Sequence, residues 1–419
     1  MQDLTFIDSK NPKIRIILVG AIVLVLAFGF LGVKWQIANL LAGITRPADP
    51  NATQISDVAL NWSSSDPAAN WLKASTSDEV SYFEQTVRLA PGDYRWRIEL
   101  GRALEQDGQT ERAEVEFKKA AELAPSFAFP RWHLGNFYLR QDRGEEAMAE
   151  LKRAADNNQA YREQVFSLAW DYFDKDASQV EKLVGERAQA RSQIALFFAA
   201  RGRADDALRN WNMLNESDKA ANSQFLKIMA QGVFEQRHFP QALAFEKQLG
   251  IDQDAQPEAV TNSSFEKVVD DSTGSRFAWQ IVRNVAKFET ATDANVKHEG
   301  NRSLRVTFKS FNKPVLGNIY QAIVVVPGNK YRLSFWVRTE NLKSAGGPVL
   351  DIVNANDDKL IAKSAVFPTG SNDWQEMTVE FEAPANCSGI SIRTARAYCG
   401  EDCPIIGTFW YDDFQLNKR

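Results

Sequence analysis

The chain has 419 residues, 44% hydrophobic and 25% charged, a balance that belongs to folded globular domains and excludes a disordered chain. Its formal net charge of −5 offers no basic face and argues against nucleic acid as a partner. Its three cysteines, Cys387, Cys399 and Cys403, all lie near the C-terminus, and outside the cytoplasm a pair of them can persist as a disulfide.

In chain order the first feature is the apolar run Ile16–Val33, which holds no charge, proline, Asn or Gln. A helix needs roughly 20 such residues to cross a bilayer. Trp35, Ile37, Leu40 and Leu41 extend the run past Lys34, whose long stem can reach the headgroups. Residues 16–41 are therefore expected to be a single transmembrane anchor. Lys10, Lys13 and Arg15 precede it, which places residues 1–15 in the cytoplasm and the bulk of the chain outside. The alternative is a cleaved signal peptide, whose apolar region is normally about 7–15 residues and ends in a small-x-small site. The length of this run and the lack of an A-x-A site favour the anchor. Residues 42–67 are rich in Pro, Asp, Asn and Ser without helical periodicity, and read as a spacer.

A self-comparison at a shift of 34 aligns Tyr94–Pro125 with Ala128–Gln159. Leu100-Gly101 falls on Leu134-Gly135, Ala113 on Ala147, Phe117 on Leu151 and Ala120 on Ala154. An earlier helix, Asp78–Ala90, ends in the same way. In these residues, above all Leu134-Gly135-Asn136-Phe137-Tyr138, the chain resembles the tetratricopeptide repeat (TPR) family. Arg97 and Arg131 stand where that family has Trp. The pattern loosens over Leu168–Ala188, then returns in Ile194-Ala195, Ala207, Trp211, Ala230, Phe234, Ala242 and Phe245. About five helix pairs between Pro67 and Leu249 should stack as an α-solenoid over residues 68–250. The resemblance implies protein partners. A rigid spacer is the other reading, and Trp96, Trp132, Trp170 and Trp211 are expected in the core. Arg95, Arg97 and Arg131 either face a groove or are solvated. His133 and His238 lack a ligand partner at useful spacing and read as structural.

Residues 251–260 are polar, contain Pro257 and form a linker. Beyond them the period changes from 3.6 to 2. Strands are expected at Ser303–Phe308, Asn318–Val326, Tyr331–Thr339, Val349–Asn354, Gln375–Glu382, Gly389–Arg396 and Thr408–Leu416, giving an antiparallel β-sandwich over 261–419. The whole is a multidomain α + β chain. An ordered series runs from Asn262-Ser263-Ser264-Phe265-Glu266 through Trp279, His298–Val306, Tyr320-Gln321, Pro327–Arg338 and Asp373-Trp374-Gln375 to Trp410–Phe414. It resembles the jelly-roll carbohydrate-binding modules of the CenC-like class.

Alternation along the strands leaves Trp336 and Arg338 off the core, with Asp351 and Arg393 as further polar candidates. A flat indole beside Arg and Asp suits a sugar ring. Two readings of Trp336 stand: a sugar platform, or a ring covered by a loop or by the helical array. The resemblance also implies a structural Ca2+, with Glu266 and one of Asp412 or Asp413 as carboxylate ligands. Trp279, Trp374 and Trp410 read as structural. Cys399 and Cys403 are expected to pair; Cys387 is separated from Cys399 by a whole strand, which would hold them roughly 20 Å apart. A zinc site lacks a fourth ligand.

No nucleophile elbow, metalloprotease helix or phosphate loop is present, so the chain is expected not to be an enzyme. The combination of modules implies a protein of the bacterial inner membrane, single-pass and largely periplasmic. Its repeats would bind protein, and its sandwich would touch polysaccharide during surface-glycan assembly or export. The alternative is a purely structural scaffold of an envelope complex that binds no glycan.

Overall fold

The computed structural model describes residues 12–184, 187–269, 274–281, 287–313, 316–317 and 319–419. Most of the expected cytoplasmic segment, residues 1–11, lies outside the described residues, as does Asn318. The chain forms two compact units, Met1–Leu183 and Val184–Arg419.

The first unit begins with α1 (Pro12–Ile44), an unbroken helix of 33 residues in which nothing from Ile16 to Val33 is buried. Its last turns behave differently. Ala38 and Ala42 are buried in a small cluster with Ala59, Ala69 and Leu72. These belong to α2 (Ala52–Trp62) and α3 (Pro67–Ser77). Asn39 Nδ2 donates to Asp66 Oδ2 at 3.2 Å. Asp66 also caps α3 by accepting from the Ala69 N–H at 2.8 Å, with Pro67 at the first helical position. The segment 42–67, expected as a spacer, thus contains α2, a helical hairpin partner of α1. Its eleven-residue helix is framed by turn-forming residues that mask its pattern, and alanines packing on alanines stabilise it.

Helix pairs follow: α4 (Val80–Leu89) with α3, α5 (Tyr94–Gln106) with α6 (Thr110–Leu123), α7 (Ala128–Arg140) with α8 (Gly144–Asn157), and α9 (Arg162–Tyr172) with the short α10 (Ala177–Glu181). The second unit adds α11 (Ala188–Ala200) with α12 (Ala204–Asn212), α13 (Glu216–Ala221), and α14 (Ser223–Glu235) with α15 (Phe239–Gln248). Where the spacing predicts about five pairs, the described residues form six, because α3 is itself helical.

Five of these six pairs, all but α3–α4, are closed by the same turn. The N–H groups of Gln109, Arg143, Lys175, Arg203 and His238 donate to carbonyls five residues back, at 2.8–3.0 Å. The residue before each, Gly108, Asp142, Asp174, Gly202 or Arg237, is left-handed. This is the hydrogen bond that ends a helix and starts its return. Within a pair, close approach depends on the small position of the first helix. A Cβ on Gly135 would lie 2.7 Å from Leu151 Cγ. Arg97 and Arg131 neither face a groove nor stand in solvent. Each reaches 19 residues ahead to its own second helix, Arg97 to Glu116 at 2.7 Å and Arg131 to Glu150 at 2.8 Å, largely covered. Arg95 is exposed and pairs with Asp93.

The sandwich follows α15. One sheet has the order β1-β4-β9-β6-β7, from β1 (Gln280–Ile281), β4 (Ile319–Val324), β9 (Gly389–Arg396), β6 (Pro348–Asn354) and β7 (Leu360–Lys363). The other has the order β2-β3-β10-β5-β8, from β2 (Phe288–Asp293), β3 (Ser303–Phe311), β10 (Ile405–Lys418), β5 (Lys330–Ser344) and β8 (Gly370–Glu382). Every pairing is antiparallel. Ile319, Ile323, Leu350, Ile352, Ile390 and Ile392 meet Leu333, Phe335, Val337, Phe409 and Tyr411 in the core. All seven expected strands are present, with β1, β2 and β7 added.

The α14–α15 hairpin packs directly on the sandwich. The Phe239 ring sits where a Cβ on Gly389 would come within 2.5 Å of it. Arg237 donates to the Ala355 carbonyl at 3.1 Å and to Asp358 Oδ2 at 2.7 Å, and its own carbonyl accepts from Asn356 Nδ2 at 2.9 Å. The linker residues are held as well, Glu258 N–H by the Val324 carbonyl at 2.8 Å and Asp252 by Ser275.

Removing one partner of a largely covered ion pair leaves the other charge without its acceptor. Glu150→Ala should therefore lower the free energy of unfolding by about 2 kcal/mol, read as a reduced urea midpoint at an unchanged slope.

Candidate functional site

The four polar candidates from the sequence divide between the two sheets. Trp336 and Arg338 lie on the outer face of the β5-containing sheet, between the core residues Phe335, Val337 and Thr339. Asp351 and Arg393 lie on the outer face of the other sheet, between core residues of β6 and β9. The two pairs point away from each other across the sandwich, so they form two surfaces and not one pocket.

On the β6–β9 side the register builds a row across all five strands. Gln280 pairs with Tyr320, Tyr320 with Arg393, Arg393 with Asp351, and Asp351 with Lys363. Directly paired residues share a face, at about 4.8 Å per strand. The flanking outward positions on β4 and β9, Ala322, Ser391 and Ala395, are small, and those on β6, Val349 and Val353, are buried together with Ser391. Tyr320 is 38% exposed. Arg393 is held by Ser391 Oγ at 2.9 Å and by Asp358 Oδ1 at 3.0 Å. Asp358 is shared with Arg237 of the α14–α15 turn, and the two guanidinium groups hold its carboxyl below the usual carboxylate range. Asp351 is different: its Oδ1 is buried and has no hydrogen-bond partner. Burial raises its carboxyl above the ordinary value, against the attraction of Lys363 and Arg393. An aromatic ring, a fixed arginine, a second cation and a carboxylate in one line are the kinds of group that hold a sugar ring and its hydroxyls. Tyr320, Gln280 and Lys363 were missed in the sequence; alternation along Ile319–Val324 already put Tyr320 outward.

On the opposite sheet, Trp336 is half-buried. The His298 ring stacks on it with centroids 3.9 Å apart and planes at 16°, and meets Trp374 edge-on at 5.7 Å. His298 Nδ1 lies 2.6 Å from Asp413 Oδ2, and the His298 N–H donates to Asp412 Oδ2 at 2.8 Å. The His298 loop thus lies over one face of the Trp336 ring. Arg338 makes an exposed ion pair with Asp373 at 3.4 Å. Trp410 is buried with Nε1 on Asp293 Oδ2 at 3.0 Å, and Trp279 packs on Phe265 and Phe414.

The residues expected to hold Ca2+ serve as hydrogen-bond acceptors. Glu266 takes the Asn301 N–H at 2.7 Å, Asn301 Nδ2 at 3.0 Å and the Arg302 N–H at 3.2 Å. Asp412 is fully buried, and burial pushes its carboxyl up to about 6. Asp413 accepts from Ser264 Oγ at 2.7 Å. Calcium requires a shell of oxygen ligands, whereas here N–H groups face the carboxylates. Among the described residues no three His, Cys, Asp or Glu side chains are placed to hold an ion.

Cys399 and Cys403 form a disulfide, and Cys387 is buried and free. The disulfide loop covers Arg396, whose guanidinium donates to the carbonyls of Gly346, Lys313 and Cys403 and to Ser344 Oγ.

In the first unit, an open cavity of about 640 Å³ is lined by Arg102, Glu105, Trp132, His133, Asn136 and Arg140. Trp132 packs on Tyr161 at 5.3 Å at its wall, so it is only partly a core residue. Trp170 and Trp211 are buried as expected, and Trp96 packs on Trp71.

Residues 257–395 match the family described as Carbohydrate binding domain. That match falls on the sandwich. No curated protein matches the chain. Similar solved structures include a CBM4 structure, 15% identical over 38% of this chain and 99% of that one, with a TM-score of 0.29. TmCBM61 in complex with beta-1,4-galactotriose is 16% identical over 38% of this chain and 96% of that one, TM-score 0.25. MamA 41-end from Desulfovibrio magneticus RS-1 is 22% identical over 31% of this chain and 76% of that one, TM-score 0.27.

Burial, together with Arg102 and Arg140, depresses His133 to about 4. A histidine depressed in the fold binds fewer protons there than in the unfolded chain, so stability is lost as pH falls from about 6.5 towards about 4. His133→Gln should make that fall shallower, measured as the urea midpoint at pH 7, 6, 5 and 4.

Proposed function

We propose that the chain is a membrane-anchored protein of the bacterial envelope whose sandwich binds a glycan along Tyr320, Arg393, Asp351 and Lys363, and whose TPR-like repeats bind protein partners. The observation that carries this reading is the buried, unpartnered Asp351 Oδ1 in line with an exposed tyrosine ring. The apolar face of a sugar ring would lie on Tyr320, while its hydroxyls would meet the charged groups of Arg393 and Lys363 beside Asp351. The family match over residues 257–395 supports a carbohydrate as the ligand class. α1 is long and apolar enough to cross a bilayer, which supports anchoring, with the N-terminus cytoplasmic and both units periplasmic. Such a protein suits assembly or export of a surface polysaccharide, holding the glycan near a membrane partner recruited by the repeats. No catalytic role is needed for it.

Affinity electrophoresis against a panel of soluble polysaccharides tests the reading. The fragment 187–419 should be retarded by at least one of them. Asp351→Ala and Tyr320→Ala should each weaken binding by about tenfold. Trp336→Ala should bind like the parent. No retardation by any glycan, with the fragment folded, would leave the scaffold reading standing instead.

A further inference from the structure

α1 is longer than a bilayer needs. Its 33 residues rise about 50 Å, while a hydrocarbon core is about 30 Å thick. With lipid around Ile16–Val33, Lys34 and Trp35 reach the headgroups, and Gln36–Ile44 stand about 13 Å beyond them. Those last turns are the ones built into the first unit through Ala38 and Ala42.

α2 returns beside α1 after a short connection, and short connections make antiparallel neighbours. Both helices rise about 1.5 Å per residue, so counting down each from the connection brings Trp62 to about the level of Trp35. Asp66 confirms the level: it accepts from Asn39, one turn above Trp35. The turn Ser63–Asp66 therefore closes at the height where α1 leaves the lipid.

The side chains at that height are apolar and uncovered. Trp35 is 43% exposed, Trp62 39%, and Val58, one turn from Trp62 on the same side of α2, 48%. On the other side of α1, Leu40 and Ile44 are also exposed, at 58% and 70%. This collar is continuous with the helix surface that lipid covers, and tryptophans favour the zone where apolar and wet surroundings meet.

We propose that the first hairpin stands on the bilayer, with Trp35 and Trp62 as paired interfacial anchors and Ser63–Ser65 among the headgroups. The occupant of the collar is the lipid interface itself. This rests on the anchor reading of α1. It adds that α2 touches the membrane and that the repeats join the anchor without a flexible joint.

Spin labels read the depth directly, because Cys387 is buried and Cys399 and Cys403 are paired, leaving introduced cysteines as the reactive sites. The full chain, in phosphatidylethanolamine–phosphatidylglycerol vesicles, would carry a label at Leu26→Cys, Gln54→Cys, Trp62→Cys or Ser64→Cys. Collisions with a water-soluble nickel chelate should be at least about threefold fewer at 62 than at 54, with 64 at headgroup depth. Labels at 62 and 64 as accessible to the chelate as that at 54 would overturn the proposal while a shielded label at 26 left the anchor intact. A label at 26 open to the chelate would overturn the anchor and this inference together. Ser64→Cys reports independently of any effect of losing Trp62.

Discussion

The core of the two-sheet sandwich claims every second side chain of each strand, and this one constraint decides where a ligand can be held. Leu333, Phe335 and Val337 on one sheet, and Leu350, Ile352, Ile390 and Ile392 on the other, are committed inward. Their neighbours must then project to opposite outsides. Trp336 and Asp351 have the right chemistry for one site but stand on surfaces that cannot meet. What the register does assemble is a line within one sheet, from Tyr320 through Arg393 and Asp351 to Lys363.

That line is attached to the helical part of the chain. Asp358 is bonded by Arg393 from the sheet and by Arg237 from the α14–α15 turn, and the Phe239 ring fills the space left by the absent side chain of Gly389. Arg237 occupies the left-handed position that ends α14, the same position that Gly108 and Gly202 occupy in other pairs. The turn geometry common to the repeats thus presents an arginine to the sandwich. At the other end of the chain, α1 passes without interruption into the first hairpin.

Much of the fold was legible because its signals are periodic. The 34-residue repeat, the change to period 2 and the apolar run each reflect a regular burial pattern, and the Cys399–Cys403 pairing followed from the strand that separates Cys387. What was not legible depends on contacts distant in sequence. The segment 42–67 reads as a spacer until α1 is there to receive its alanines. The roles of Arg97 and Arg131 appear only when Glu116 and Glu150 are counted 19 residues ahead, a spacing that was present in the sequence. His298 lies on Trp336 because Asp412 and Asp413 hold its loop, and no local pattern announces that. Within the candidate row, Asp351 and Arg393 are legible from the residues, and alternation puts Tyr320 outward, but only the strand register sets it beside Arg393.

The most direct measurement of the central claim is a chemical-shift map of the fragment 187–419 titrated with the oligosaccharide it binds. Binding on the β6–β9 surface should move the amides of Tyr320, Asp351, Lys363, Ser391 and Arg393 and leave those around His298, Trp336 and Trp374 in place. Shifts confined to the His298–Trp336 surface would contradict it.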